Sequence, residues 1–137
     1  MTTKSSGFSL IELLVVVAIL GIISAIGVVS YSGYVSGAKR KSAENVMQQI
    51  SLGQTEYYSD MGIYYLNSSG TSCTPSATTS TQIETNLLGG SDNINDEMGY
   101  QLCIANHSSN YLINANETGG SCEIEMTALG VITRRNC

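Results

Sequence analysis

Glu12 is the sole carboxylate before Glu44, and it stands in a run from Phe8 to Val29 that is otherwise apolar apart from Ser9, Ser24 and two glycines. A charge in such a run is expensive, about 3 kcal/mol at the centre of a membrane-spanning helix and less toward its end. It calls for a positive partner. The other reactive residues are Cys73, Cys103, Cys122 and Cys137, all in the polar half of the chain. None forms a CxxC pair or sits beside a histidine that could complete a zinc site, so an even number of cysteines in a small domain reads as a disulfide framework. Disulfides require an oxidising compartment outside the cytoplasm.

Chemistry of other kinds finds little support. His107 is the only histidine and lies among Asn and Ser with no nucleophile motif beside it, which reads as a turn in water. In Asp92-Asn93-Ile94-Asn95-Asp96-Glu97 the oxygen ligands are hard enough for calcium, but Ile94 breaks the spacing and the glycine of a calcium loop is missing. Neither a catalytic residue, a metal nor a cofactor is expected, and the chain is not expected to be an enzyme. Tyr31, Tyr34, Tyr57 and Tyr58 fall on one long predicted helix, where packing explains them without a redox path. Formal net charge is -5, and the only basic clusters are Lys39-Arg40-Lys41 and Arg134-Arg135, a balance that disfavours nucleic acid as a partner.

The element that carries Glu12 must be a helix. From Phe8 to Val29 it would be roughly 33 Å long, the thickness of a bilayer's hydrocarbon. It is apolar on all sides, without the stripe that packs a helix onto a soluble core. The 137-residue chain is too short to bury it as a core helix. An ordinary secretory signal fits less well, since the run is longer than a signal core and lacks a clean small-x-small cleavage site.

The stretch Gly7-Phe8-Ser9-Leu10-Ile11-Glu12-Leu13-Leu14-Val15-Val16-Val17-Ala18-Ile19-Leu20-Gly21-Ile22 resembles the start of type IV pilins and pseudopilins. The resemblance implies that residues 1–7 are a leader, that a prepilin peptidase cuts between Gly7 and Phe8 on the cytoplasmic side, and that the new amino group of Phe8 is methylated. It also implies that Glu12 pairs with the amino group of a neighbouring subunit during assembly. The chemistry agrees: cleavage creates an ammonium on Phe8, one helical turn from Glu12 on the same face. Where many pilins carry a helix-bending proline this chain has Val29, with Gly21 and Gly27 as the remaining soft points. Lys39, Arg40 and Lys41 beyond the span outnumber the leader's Lys4, so a bare charge count favours the opposite orientation. The motif and the cysteines both require the second half outside.

After Tyr31 the pattern becomes amphipathic. Tyr31, Val35, Ala38, Val46, Ile50 and Tyr57 follow three- and four-residue steps, with Lys39, Arg40, Lys41 and Glu44 facing elsewhere, and the helix is expected to reach about Tyr58. Residues 59–98 read as a solvated connector around Pro75, with a short helix from Gln82 to Leu88 ended by Gly89-Gly90. Asn67-Ser68-Ser69, Asn106-His107-Ser108 and Asn116-Glu117-Thr118 match the glycosylation sequon, a weak signal in bacteria. Strand patterns follow at Tyr100–Ile104, Tyr111–Asn114, Ile124–Met126 and Val131–Thr133, joined by connections too short for parallel crossovers. The predicted fold is α+β, a pilin fold: a long amino-terminal helix with a membrane-spanning front half (8–30) and an amphipathic back half (31–58). A head (59–137) adds a three- or four-stranded antiparallel sheet over 99–137.

Three disulfide connectivities are formally possible. Cys122 and Cys137 lie symmetrically about Leu129-Gly130, so a hairpin there would bring them together and leave Cys73 for Cys103. The resemblance supports this pairing, since many pilins tie their last strands near the carboxyl terminus. For function it implies a structural subunit of a type IV pilus: inserted in the inner membrane as a precursor, passed to the assembly platform, and packed with copies of itself into a helical surface filament. Adhesion, motility or DNA uptake would be uses of that fibre. The alternative is a minor pilin or a type II secretion pseudopilin acting as a binding or priming module.

Overall fold

The structure, a computed structural model, describes residues 6–137, so most of the expected leader, Lys4 included, lies outside the described residues. The chain divides into two compact units, Met1–Gly37 and Ala38–Cys137, each taken by itself. Helix α1, Leu10–Met61, contributes to both.

In the first unit α1 is apolar all round, and the described side chains from Phe8 to Val29 are all exposed. By length and composition α1 is able to cross a membrane. The α-helix runs without interruption through Gly21, Gly27 and Val29. Its one internal hydroxyl there, Ser24 Oγ, donates to the Leu20 carbonyl at 2.7 Å, which satisfies that hydroxyl within the helix itself.

In the second unit the remainder of α1 is joined by α2 (Ala77–Leu87) and strands β1 (Tyr100–His107), β2 (Asn110–Glu117), β3 (Glu123–Thr127) and β4 (Ile132–Arg135). The strands form one antiparallel sheet in the order β1-β2-β3-β4. Strand register aligns Leu102, Ala115, Ile124 and Arg134 in one row and Ile104, Ile113, Met126 and Ile132 in the next. Side chains alternate across a pleat, so these rows share one face. They close over Ala43, Val46, Met47 and Ile50 of α1, with Ile83 of α2 in the same core. Between β1 and β2 the chain reverses in two residues, Ser108 and Ser109, both with positive φ (47° and 69°), the backbone of a tight hairpin turn.

Several expectations shift. Glu44, expected to face away from the head, is only 4% exposed. Tyr31 and Tyr34 are largely exposed, at 69% and 75%. Helix α2 begins five residues earlier than expected, because Ser76 and Thr79 close a reciprocal cap: Thr79 N–H donates to Ser76 Oγ at 3.2 Å and Ser76 N–H to Thr79 Oγ1 at 2.9 Å. The connector is also less solvated than expected. Asn67 N–H donates to the Ile104 carbonyl (2.9 Å) while Ile104 N–H donates to Asn67 Oδ1 (2.8 Å), and Asn106 N–H donates to the Gly70 carbonyl (3.0 Å). Leu102 N–H donates to Ser80 Oγ (3.0 Å), and its carbonyl accepts from Thr79 Oγ1 (2.7 Å). The outer edge of β1 is thus sealed by backbone and side chains of a segment that reads as loop in the sequence, which removes one open sheet edge.

Candidate functional site

The amino end of α1 is built by three residues. Ser9 caps the helix: its Oγ accepts from Glu12 N–H at 3.2 Å, while its own N–H donates to Glu12 Oε2 at 2.9 Å. This is a capping box, which satisfies two of the free amides of a helix start and places a carboxylate where the helix dipole is positive. Glu12 therefore has a partner inside its own chain, the signal for which is the Ser9-x-x-Glu12 spacing. Phe8 precedes the cap with its side chain 90% exposed. Phe8, Ile11, Glu12, Val15 and Val16 line a single apolar cleft on the helix flank. At Gly7 an added side chain would meet nothing within 4 Å, so the fold of this chain does not itself require glycine there.

The cysteines are brought together as Cys73–Cys103 and Cys122–Cys137. The first straps the connector to β1, and the second closes the β3–β4 hairpin with a Cα separation of 4.5 Å. The end of the chain is held at two further points. Arg135 pairs with Glu125 at 2.6 Å on the face away from α1, and Arg134 reaches through to Glu44 of α1, which also accepts from Lys41 Nζ at 3.2 Å. The Arg134 hydrogen bond is the main reason the Glu44 carboxyl is held below its ordinary pKa, with Lys41 adding to it and burial opposing both. That buried carboxylate, whose partner lies ninety residues away in sequence, anchors β4 to α1.

Other residues singled out by type play structural parts. His107 ends β1, exposed, opposite Asn110. Ile94, which spoils the calcium spacing, is buried, and its N–H donates to Glu84 Oε1 at 2.5 Å. Among the described residues no three His, Cys, Asp or Glu side chains gather as a metal site. Asn67 commits its whole amide, with Nδ2 donating to Gln82 Oε1 (3.0 Å) and to the Thr79 carbonyl (3.4 Å), which leaves no free nitrogen for a glycan.

An exposed apolar helix with a capped carboxylate at its start, followed by a disulfide-bonded head of helix on antiparallel sheet, defines a class: the α+β arrangement of pilins. Residues 2–28 match the model of the family described as the prokaryotic N-terminal methylation motif, the leader signature of type IV prepilins. No curated protein and no solved structure matches the chain. The matched segment carries the amino-terminal signature found in type IV pilin-like and pseudopilin proteins.

Proposed function

We propose that this protein is a structural, non-catalytic subunit of a type IV pilus. The single observation that carries the reading is the junction at Gly7-Phe8: a methylation-motif leader directly preceding a capped helix whose apolar surface no described residue covers. A prepilin peptidase removes residues 1–7 and methylates Phe8. The apolar helix holds the subunit in the inner membrane, and the assembly platform then packs copies side by side into a surface filament. The freedom of space around Gly7 supports a glycine kept for the peptidase rather than for folding.

The test is to shear filaments from cells and measure the intact mass of the dominant subunit. A chain lacking its first seven residues, one methyl group heavier, and four hydrogens lighter for two disulfides is the expected result. A processed chain that stays at trace level in filaments built of another subunit would instead make it a minor pilin or a type II secretion pseudopilin. An unclipped chain would overturn the proposal.

A further inference from the structure

The outward face of α1 in the head carries an unusual distribution of charge. Asn45, Gln48, Gln49, Leu52 and Thr55 are all exposed and all uncharged. The face opens with Lys41, whose side chain is 72% exposed, and closes with Glu56 and Asp60, both exposed and absent from every ion pair among the described residues. Glu44 engages one of the three N–H donors of Lys41, leaving two with no partner among the described residues. Asp60 lies in the last turn of α1, where no basic residue is present. An acid there opposes the helix dipole, so its position is unfavourable for the isolated subunit.

We propose that this face is a contact between copies, in which Lys41 of one subunit meets Glu56 and Asp60 of the next. The inference rests on the filament reading above. Subunits drawn from one membrane all point the same way, so neighbouring helices are parallel. Parallel helices in level register would set Lys41 against Lys41 and acid against acid. A shift of about 15 to 19 residues, roughly 22–29 Å along the helix, sets the cation of one copy on the anions of the other. The uncharged middle of the face then meets nothing that repels it. Such a contact joins two different patches, and contacts of that kind propagate into helical fibres rather than closing into dimers.

The experiment uses filaments grown from a mixture of isotopically light and heavy full-length chains. A zero-length carbodiimide, which joins an amine to a carboxylate only in direct contact, is applied before peptide mapping. Lys41 linked to Glu56 or Asp60 in light–heavy pairs is the expected result, and filaments whose Lys41 links only to Glu44 of its own chain overturn the contact. The paired substitution Glu56→Lys, Asp60→Lys provides an independent arm. It should cut filament yield about fivefold, the upper end of what losing one exposed ion pair implies. The same substitution should leave the detergent-solubilised subunit equally or more resistant to urea, because it corrects the charge at the helix end. Adding Lys41→Glu to that pair should restore most of the yield. Normal yield from the paired variant overturns the contact, as does a yield loss that tracks lower subunit stability. A wild-type chain that makes no filament overturns the underlying reading and this contact with it.

Discussion

At the scale of single residues the most informative side chain in the head is Glu44, a carboxylate buried between two cations. Its pKa is depressed below the ordinary 4.5, first by the Arg134 hydrogen bond. A group whose folded pKa is lowered contributes stability that is complete above its unfolded pKa and is lost as the pH falls through the folded one. Glu44→Gln keeps the size of the side chain and removes the charge. At neutral pH it should lower the melting temperature of the detergent-solubilised subunit by about 5 °C, a shift of the size one internal interaction gives a small domain. The gap between wild type and variant should stay constant down to about pH 5 and shrink below pH 4.5, where the wild-type carboxylate begins to lose its advantage. A gap that widens on acidification would show that charge pairing is not the source. The same loss should appear as faster hydrogen exchange in β4, the strand that Glu44 anchors through Arg134.

At the scale of elements, the approach of α2 to α1 depends on one absent side chain. A Cβ at Gly53 would stand 2.6 Å from the Leu87 carbonyl oxygen, a backbone atom that cannot swing away. Glycine to alanine in a helix ordinarily gains about 1 kcal/mol. Here Gly53→Ala should instead cost about 1–3 kcal/mol, as overpacking does, read as a lower urea midpoint with an unchanged slope. A stabilised variant would mean that α2 does not press on α1. The elements themselves were largely legible: Leu102, Ile104, Ile113, Ile124 and Met126 recur at the alternation of a half-buried sheet, and the Leu129-Gly130 turn aligns Cys122 with Cys137. What escaped notice was polar. Ser76, Thr79, Ser80 and Asn67 look like loop because hydroxyls and short amides favour turns in isolation. Their partners are a helix end and the backbone of β1, set by tertiary contact. Glu44 escaped for the same reason, its partner lying ninety residues away in sequence.

At the scale of the whole molecule the amino end of α1 has two candidate duties that one carboxylate could discharge. Glu12 caps its own helix through Ser9, and in the proposed filament it also receives the Phe8 ammonium of a neighbouring processed chain. Substitution separates them. Glu12→Ala removes the charge and the carboxylate's half of the capping box, leaving the Ser9 Oγ bond to the backbone of residue 12, whereas Glu12→Gln retains both halves, because glutamine serves equally at that position. An uncharged residue also enters the membrane more easily, so neither variant should be lost from it. If assembly rests on charge, both variants should be clipped normally and remain abundant in the membrane, yet yield few sheared filaments, with the glutamine form retaining some assembly through hydrogen bonding. If the cap alone matters, Glu12→Gln should build filaments at wild-type yield while Glu12→Ala does not. Leader cleavage, membrane abundance and filament yield have to be followed together, since a failure of clipping would point to the peptidase and a fall in abundance to folding. Normal filaments from Glu12→Ala would remove both duties at once, and the cost of placing a carboxylate in an apolar helix would then have to be offset by recognition at the peptidase or the assembly platform.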